Sequence, residues 1–277
     1  MPAEKSATWT ALLLGDVVGA PGRKAVSDYL PLLKAKYKPH LVIVNGENAE
    51  DSGAGLTPEN FVELRQAGAD LITTGNHVWE QESLSELLAS ETRLLRPANY
   101  PQGLPGHGLA LLSLPDLLHP VAVVNLQGRY RMAPIDDPFQ AANALLERLK
   151  GQTPYILVDF HAEDTLEKEA MGWALDGRVS AVVGSHTHVA TRDERILPQG
   201  TAFQTDLGMC GPRDSIIGNN RALSLRRALT QLPLKGEIAD GPCEVRGLKV
   251  EVSVESGKAL SVERLFWGPE TGNSVTF

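Results

Sequence analysis

The sequence has few cysteines, few aromatic residues and no excess of positive charge. Its 277 residues include two cysteines, Cys210 and Cys243, far apart along the chain. They are too few for the disulfide framework of a small secreted domain, so a reducing compartment is expected. Asp and Glu outnumber Lys and Arg by 34 to 26, and the net charge of −8 argues against a large polyanion as a lasting partner. A small phosphate ester stays compatible, because bound metal ions would supply local positive charge.

Long apolar runs are also missing. No stretch is long enough for a signal-peptide core or a membrane span. We therefore expect a cytoplasmic protein without a membrane partner. The chain contains no linker, repeat or low-complexity tract, and it is long enough to bury a full core, so a single domain over residues 1–277 is predicted. The oligomeric state stays open, and a homo-oligomer is compatible with the sequence.

Five short apolar runs predict β-strands that are buried on both faces. These runs occupy residues 10–16, 40–48, 70–77, 155–161 and 179–186. Helical patterns lie between them at residues 57–68 and 138–150, and a third begins at Asp164, with Glu167 placed as in a capping box. Alternation of strands and helices predicts βαβ units and a largely parallel sheet.

The middle and the end of the chain have a different pattern. Residues 107–115 and 121–128 are neighbouring strand-like runs without a helix between them, and residues 194–206 and 247–268 are typical of hairpins. These segments predict a second, mixed or antiparallel sheet that packs on the first. The fold class expected is therefore α/β, with two packed mixed β-sheets flanked by helices.

Each of the five buried runs ends in side chains that can bind a metal ion. In chain order these are Asp16, Glu47 and Asn48, Asn76 and His77, His161, and His186 with His188. Because the carboxyl ends of parallel strands share one edge of a sheet, we expect these side chains to meet. His186 and His188 are two residues apart, so an extended backbone would point both imidazoles the same way.

Each of these residues also has a plainer explanation. Asp16 and Asn76 could form or cap turns, the Glu47-Asn48 pair could be a polar turn, and His161 could be a hydrogen-bonded core histidine. Coincidence at all five strand ends is harder to accept, and we therefore predict a metal site. The donor set contains no thiolate and suits iron, manganese or zinc.

The predicted ligands are too many for one ion. Two ions roughly 3.5–4 Å apart, bridged by a carboxylate, would use them all, and such a pair clamps phosphate oxygens and turns a bridging water into a hydroxide nucleophile. In-line attack on phosphorus then requires an acid for the leaving oxygen. His77, beside Asn76 and not needed as a ligand, is the candidate for this role.

The same blocks of sequence resemble those of the calcineurin-like metallophosphoesterases. They are GD at residues 15–16, GEN at 46–48, GNH at 75–77, FH at 160–161 and GSHTH at 184–188. Val18 stands where that superfamily usually has its first histidine ligand, and Asn45-Gly46-Glu47-Asn48 replaces its second block. Together with residues 206–218, these departures resemble the YmdB-like branch of bacterial phosphodiesterases over nearly the whole chain.

The resemblance implies a metallophosphoesterase-like αββα sandwich and a distribution of ligands. It implies that one ion is held by Asp16, Glu47, Asn48 and His188, with Glu47 as the bridge, and the second by Asn76, His161 and His186. It further implies His77 as the proton donor, two ions of iron, and a 2′,3′-cyclic nucleotide as the small-molecule substrate. No substrate-binding residue is identified.

Two other functions stay open. The same centre could serve a broad-specificity phosphomonoesterase or nucleotidase, and the chain could be a regulatory partner in RNA processing with weak hydrolase activity. The segment 206–218 is first predicted as a structured turn, and alternatively as a wall of the substrate pocket.

Overall fold

A computed structural model describes residues 8–269, which form strands and helices in two stacked sheets. The strands are β1 (Thr8–Val17), β2 (Leu41–Asn45), β3 (Leu71–Thr73), β4 (Leu109–Leu112), β5 (Val121–Gln127), β6 (Ile156–His161), β7 (Ala181–Ser185), β8 (Arg195–Ile196), β9 (Ala202–Gln204), β10 (Met209–Pro212), β11 (Cys243–Ser253) and β12 (Ala259–Trp267). The helices are α1 (Gly19–Tyr37), α2 (Pro58–Ala67), α3 (Leu84–Ser90), α4 (Pro138–Leu149), α5 (Thr165–Leu175) and α6 (Arg221–Thr230). Within residues 8–269, no helix combines the length and the apolar character that a bilayer crossing requires.

Each sheet has six strands and mixes parallel with antiparallel pairs. The first has the order β12-β11-β10-β1-β2-β3, and the second has the order β4-β5-β6-β7-β9-β8. In the first sheet β1 is parallel to β2 and β10 but antiparallel to β11. In the second, β5, β6, β7 and β9 are parallel, and β4 and β8 pair antiparallel at the edges. The predicted α/β class with two mixed sheets is confirmed.

The distribution of strands between the sheets differs from the expectation. The five motif-bearing strands were expected in one largely parallel sheet, but β1, β2 and β3 lie in the first sheet and β6 and β7 in the second. An apolar run buried on both faces looks the same whether helices cover both faces or a second sheet covers one of them. The prediction of a single motif-bearing sheet was therefore wrong.

The core has three layers of apolar side chains, one between the sheets and one under the helices on each outer face. Along β1 the layers alternate with the strand period of two. Trp9 and Leu13 face the second sheet, whereas Leu12 and Leu14 face the α1 side. The Trp9 ring meets the ring of Tyr155 edge-on, with centroids 5.6 Å apart. Contacts of this kind hold the sheets face to face.

The predicted helix starts hold for α2, α4 and α5, and α2 and α4 each have a proline in the first turn. The Asp164 side chain caps α5 by accepting from the Leu166 amide at 3.0 Å. The expected capping box was wrong. The Glu167 carboxylate turns away from the cap and accepts from the amides of Arg129 and Tyr130, at 3.0 and 3.1 Å. These bonds tie α5 to the loop after β5.

Candidate metal centre

The predicted ligands come from the carboxyl ends of five parallel strands, three in the first sheet and two in the second. The sheets present these ends side by side, so the ligands meet across the gap between the sheets. Glu47, Asn76, His161 and His186, called here the His161 cluster, lie closest together. The candidate site therefore receives side chains from both sheets.

The centre of the His161 cluster is the Nε2 atom of His161. This atom lies 2.8 Å from Glu47 Oε1, 3.0 Å from Asn76 Oδ1 and 3.0 Å from His186 Nδ1. One ring nitrogen carries at most one proton, so it cannot donate to three neighbours at once. Ligand atoms of Glu47, His161 and His186 all lie within 4.8 Å of one another, and the three groups could hold a metal ion. The donor set of carboxylate, amide oxygen and imidazole fits such an ion.

A second set of donors adjoins this cluster. His188 Nε2 lies 3.1 Å from Asn48 Oδ1. The fully buried carboxylate of Asp16 accepts from the His186 amide through Oδ2, at 3.1 Å, whereas Oδ1 has no hydrogen-bond partner among the described residues. A buried carboxylate oxygen without a partner is unfavourable unless a cation lies beside it. His161 Nδ1 lies 3.7 Å from this oxygen, and the Asp16 carboxylate therefore favours positive charge at this position.

His77 lies at the rim of the centre. Its backbone amide donates to Glu47 Oε2 at 3.2 Å, and its Nδ1 lies 3.5 Å from Glu80 Oε1. One third of its side chain is exposed. His77 therefore adjoins Glu47 through its backbone, and its imidazole is partly open to solvent although Nδ1 is buried.

The backbone of the GSHTH segment differs from the expectation. Strand β7 ends at Ser185, and His186 and His188 have φ angles of 100° and 64°. The backbone there is left-handed, so the expectation of an extended backbone was wrong. One ring reaches the His161 cluster and the other reaches Asn48. Hydrophobic periodicity indicates which residues form a buried strand, but it does not predict the backbone angles of the turn that follows.

The charges of the centre are strongly coupled. Burial raises the pKa of Asp16 to about 6, although the nearby His188 and His161 oppose the rise. Burial also disfavours the charged forms of Glu47 and His161, yet their attraction prevails and brings the pKa of Glu47 to about 2 and that of His161 to about 9. Burial and the charge on His161 lower the pKa of His186 to about 3, which keeps that ring neutral. The carboxylates thus stabilise positive charge in the interior, and His186 offers a lone pair.

Supporting residues beneath the ligands were missed from the sequence. Asp159 in β6 accepts hydrogen bonds from Ser185 at 2.6 Å and from Asn45 at 3.1 Å, and Thr73 also donates to it. Ser185 Oγ in turn lies 3.0 Å from His161 Nδ1. A carboxylate inside the apolar run ILVDFH was the available signal. This network fixes the ring of His161 from the side opposite the ligands.

Two further contacts orient the histidines of the turn. The Glu163 carboxylate lies 3.2 Å from His186 Nε2, which leaves Nδ1 of that ring facing His161. The carbonyl of Ile217, within the segment 206–218, lies 2.9 Å from His188 Nδ1. That segment was expected to be a turn, but part of it forms β10 beside β1.

Gly75, which precedes Asn76, is required by close packing. A Cβ atom at this position would overlap the ring of His161 and the carboxylate of Glu47. The backbone after β3 therefore passes directly against the ligands, and glycine alone permits this approach.

Comparison with known proteins identifies the family. The sequence model of the YmdB-like proteins matches residues 12–265. The chain belongs to the YmdB-like family. The resemblance inferred from the GD, GEN, GNH, FH and GSHTH blocks is therefore confirmed.

Relatives of this YmdB-like chain are similar over almost their whole length. A Bacillus subtilis (strain 168) protein named 2′,3′-cyclic-nucleotide 2′-phosphodiesterase is 48% identical over 254 residues, covering 92% of this chain and 95% of the relative. A crystal structure from Mycoplasma pneumoniae described as a novel phosphatase has a TM-score of 0.88 and 33% identity, with 97% of each chain covered. A hypothetical protein from Thermus thermophilus has a TM-score of 0.86 and 41% identity, covering 94% of this chain and 99% of that chain.

Gly75→Ala is expected to weaken Mn²⁺ binding by this YmdB-like chain roughly 10–100-fold, because the added methyl group displaces two ligands. Calorimetric titration with Mn²⁺ measures the dissociation constant. Gly268→Ala is the matched control, since its added Cβ stays 3.4 Å from the nearest atom. Unchanged Mn²⁺ affinity in Gly75→Ala would contradict a centre built on Glu47 and His161.

Proposed function

We propose that this chain is a metal-dependent phosphodiesterase that hydrolyses small phosphate diesters, with 2′,3′-cyclic nucleotides as the preferred substrates. The observation that carries the proposal is the convergence of Glu47, Asn76 and His186 on the Nε2 atom of His161. The name of the Bacillus subtilis relative, which is 48% identical, supports the substrate class.

The proposed centre contains two ions. One is assigned to Asp16, Glu47, Asn48 and His188, and the other to Asn76, His161 and His186, with Glu47 between them. The contact of Asn48 with His188 and the buried Oδ1 of Asp16, which accepts no hydrogen bond from the described residues, support the first set, and the His161 cluster supports the second. We propose iron as the native metal, with manganese and zinc as alternatives that suit the same oxygen and nitrogen donors.

Two bound ions would withdraw charge from the phosphate and lower the pKa of a water molecule. The residues of the chain supply the remaining requirements. The carboxylates of Asp16 and Glu47, both buried, would balance the positive charge of the ions. We assign to His77 the donation of a proton to the leaving ribose oxygen when the O–P bond breaks and a water oxygen joins the phosphorus. Because its ring is partly exposed, it can recover a proton from solvent after each turnover.

His77→Ala is expected to lower kcat by roughly 10²–10⁴-fold, because proton donation to the leaving oxygen is lost. Metal content is expected to stay unchanged, since His77 contacts Glu47 through its backbone amide, which the substitution retains. Steady-state hydrolysis of 2′,3′-cAMP and metal analysis of the same samples measure the two quantities. Full activity in His77→Ala would show that another group, or water, protonates the leaving oxygen.

The relative from Mycoplasma pneumoniae described as a phosphatase supports a second candidate, a phosphomonoesterase with the same centre. Hydrolysis of 2′,3′-cAMP, 3′,5′-cAMP and p-nitrophenyl phosphate by the purified enzyme separates the two functions. The proposal predicts a kcat/KM that is highest for 2′,3′-cAMP. Comparable values for all three substrates would favour the broad phosphomonoesterase instead.

A further inference from the structure

The turn that carries His186 and His188 has an uncommon backbone. Both residues have positive φ, a region that side chains other than glycine rarely adopt. Such conformations persist when surrounding contacts determine them, and they cluster at functional sites. Thr187 lies between the two histidines, so its contacts bear directly on the conformation of the turn.

Thr187 is bound by the buried carboxylate of Asp206. Asp206 Oδ2 accepts from the Thr187 hydroxyl at 2.7 Å and from the Thr187 amide at 3.2 Å. Its Oδ1 accepts from the Gly208 amide at 2.8 Å, and its backbone carbonyl accepts from the Thr191 amide at 3.0 Å. The segment before β10 therefore holds the loop after β7 through both the side chain and the backbone carbonyl of Asp206.

Lys168 of α5 completes this arrangement. Its Nζ lies 2.6 Å from Asp206 Oδ2, and both side chains are buried almost completely. Such a pair loses much of its attraction to desolvation, so general stability is a weak explanation for it. Space is reserved for the pair: a Cβ on Gly184 would overlap the Thr205 carbonyl and lie 3.0 Å from Lys168 Cδ. The glycine of the GSHTH segment allows Lys168 and the segment between β9 and β10 to approach β7.

We propose that Lys168 and Asp206 are positioning residues that act through Thr187 to direct His186 and His188 to separate partners. This inference rests on the proposed function, because it assigns both histidines to metal binding. With Thr187 held, the His186 amide donates to Asp16 Oδ2 at 3.1 Å, and its ring meets the His161 cluster. The His188 ring has other partners, with Nδ1 2.9 Å from the Ile217 carbonyl and Nε2 3.1 Å from Asn48 Oδ1. A carbonyl only accepts, so Nδ1 is the nitrogen that donates there and Nε2 is the nitrogen available to a metal ion beside Asn48.

Thr187→Val tests the inference, since it removes the hydroxyl and keeps the shape of a partly buried side chain. Calorimetric titration of chelator-treated protein with Mn²⁺ is expected to give a dissociation constant roughly 10–100-fold higher than that of the original chain. Thr187→Ser, which keeps the hydroxyl, is expected to restore the original value. Val189→Ala, at an exposed position of the same loop, is the surface control. Thermal unfolding of the chelator-treated variants is measured beside the affinity, because a purely structural role predicts a lower unfolding temperature with the original Mn²⁺ dissociation constant.

Lys168→Met supplies a second line of evidence. It is expected to weaken Mn²⁺ binding more than Thr187→Val, because Asp206 loses its charged partner as well as its fixed position. Since this change leaves a buried carboxylate unpaired and could unfold the chain, the comparison of valine with serine at position 187 decides the question.

His186→Ala separates failure of the inference from failure of the proposed function. If His186→Ala loses Mn²⁺ affinity while Thr187→Val binds like the original chain, the positioning role of the Lys168–Asp206 pair is overturned and the metal centre stands. If His186→Ala itself binds Mn²⁺ with the original affinity and stoichiometry, the proposed centre is overturned and the inference falls with it.

Discussion

The candidate centre depends on the hydrogen bonds that the carboxylate of Asp159 accepts. This carboxylate is buried between the sheets and accepts hydrogen bonds from Asn45 and Thr73 in the first sheet and from Ser185 in the second. Burial raises its pKa, and these donors act in the opposite direction by stabilising the charged form. A buried carboxylate with partners in both sheets is unfavourable in any other alignment, because each lost donor leaves an unsatisfied polar group. Asp159 therefore aligns the two sheets directly beneath the ligands.

The alignment matters because neither sheet carries all of the candidate ligands. The first sheet supplies Asp16, Glu47 and Asn76, and the second supplies His161 and His186. A small sliding of one sheet on the other would move His161 Nε2 away from Glu47 Oε1 and Asn76 Oδ1, which now lie 2.8 and 3.0 Å from it. Rigid strands joined by a satisfied polar network hold such a geometry better than loops do. The apolar layer between the sheets supplies stability, and the polar network supplies the register.

Much of the candidate site could be predicted from the sequence. The candidate metal-binding side chains follow buried apolar runs, and the ends of buried parallel strands are where α/β proteins bind small molecules. The assignment of strands to sheets could not be predicted, since a run such as YILVDFH has the same apolar pattern beneath a helix or beneath a sheet. The directions of His186 and His188 depend on two positive φ angles, which leave no trace in hydrophobic periodicity. Asp159 was detectable as a carboxylate within an apolar strand. The contact of Lys168 with Asp206 could not be predicted, because the two residues are 38 positions apart in the sequence and meet only in the folded chain.

The other proposed roles follow from the binding of two metal ions where the two sheets meet. Anomalous X-ray diffraction from crystals of the iron- or manganese-loaded protein, collected on either side of the metal's absorption edge, locates such ions directly. Two anomalous peaks are expected, one beside His161, His186 and Asn76 and the other beside His188 and Asn48, with Glu47 between them. A single peak in fully loaded, active protein, or peaks away from these residues, would contradict the two-ion centre.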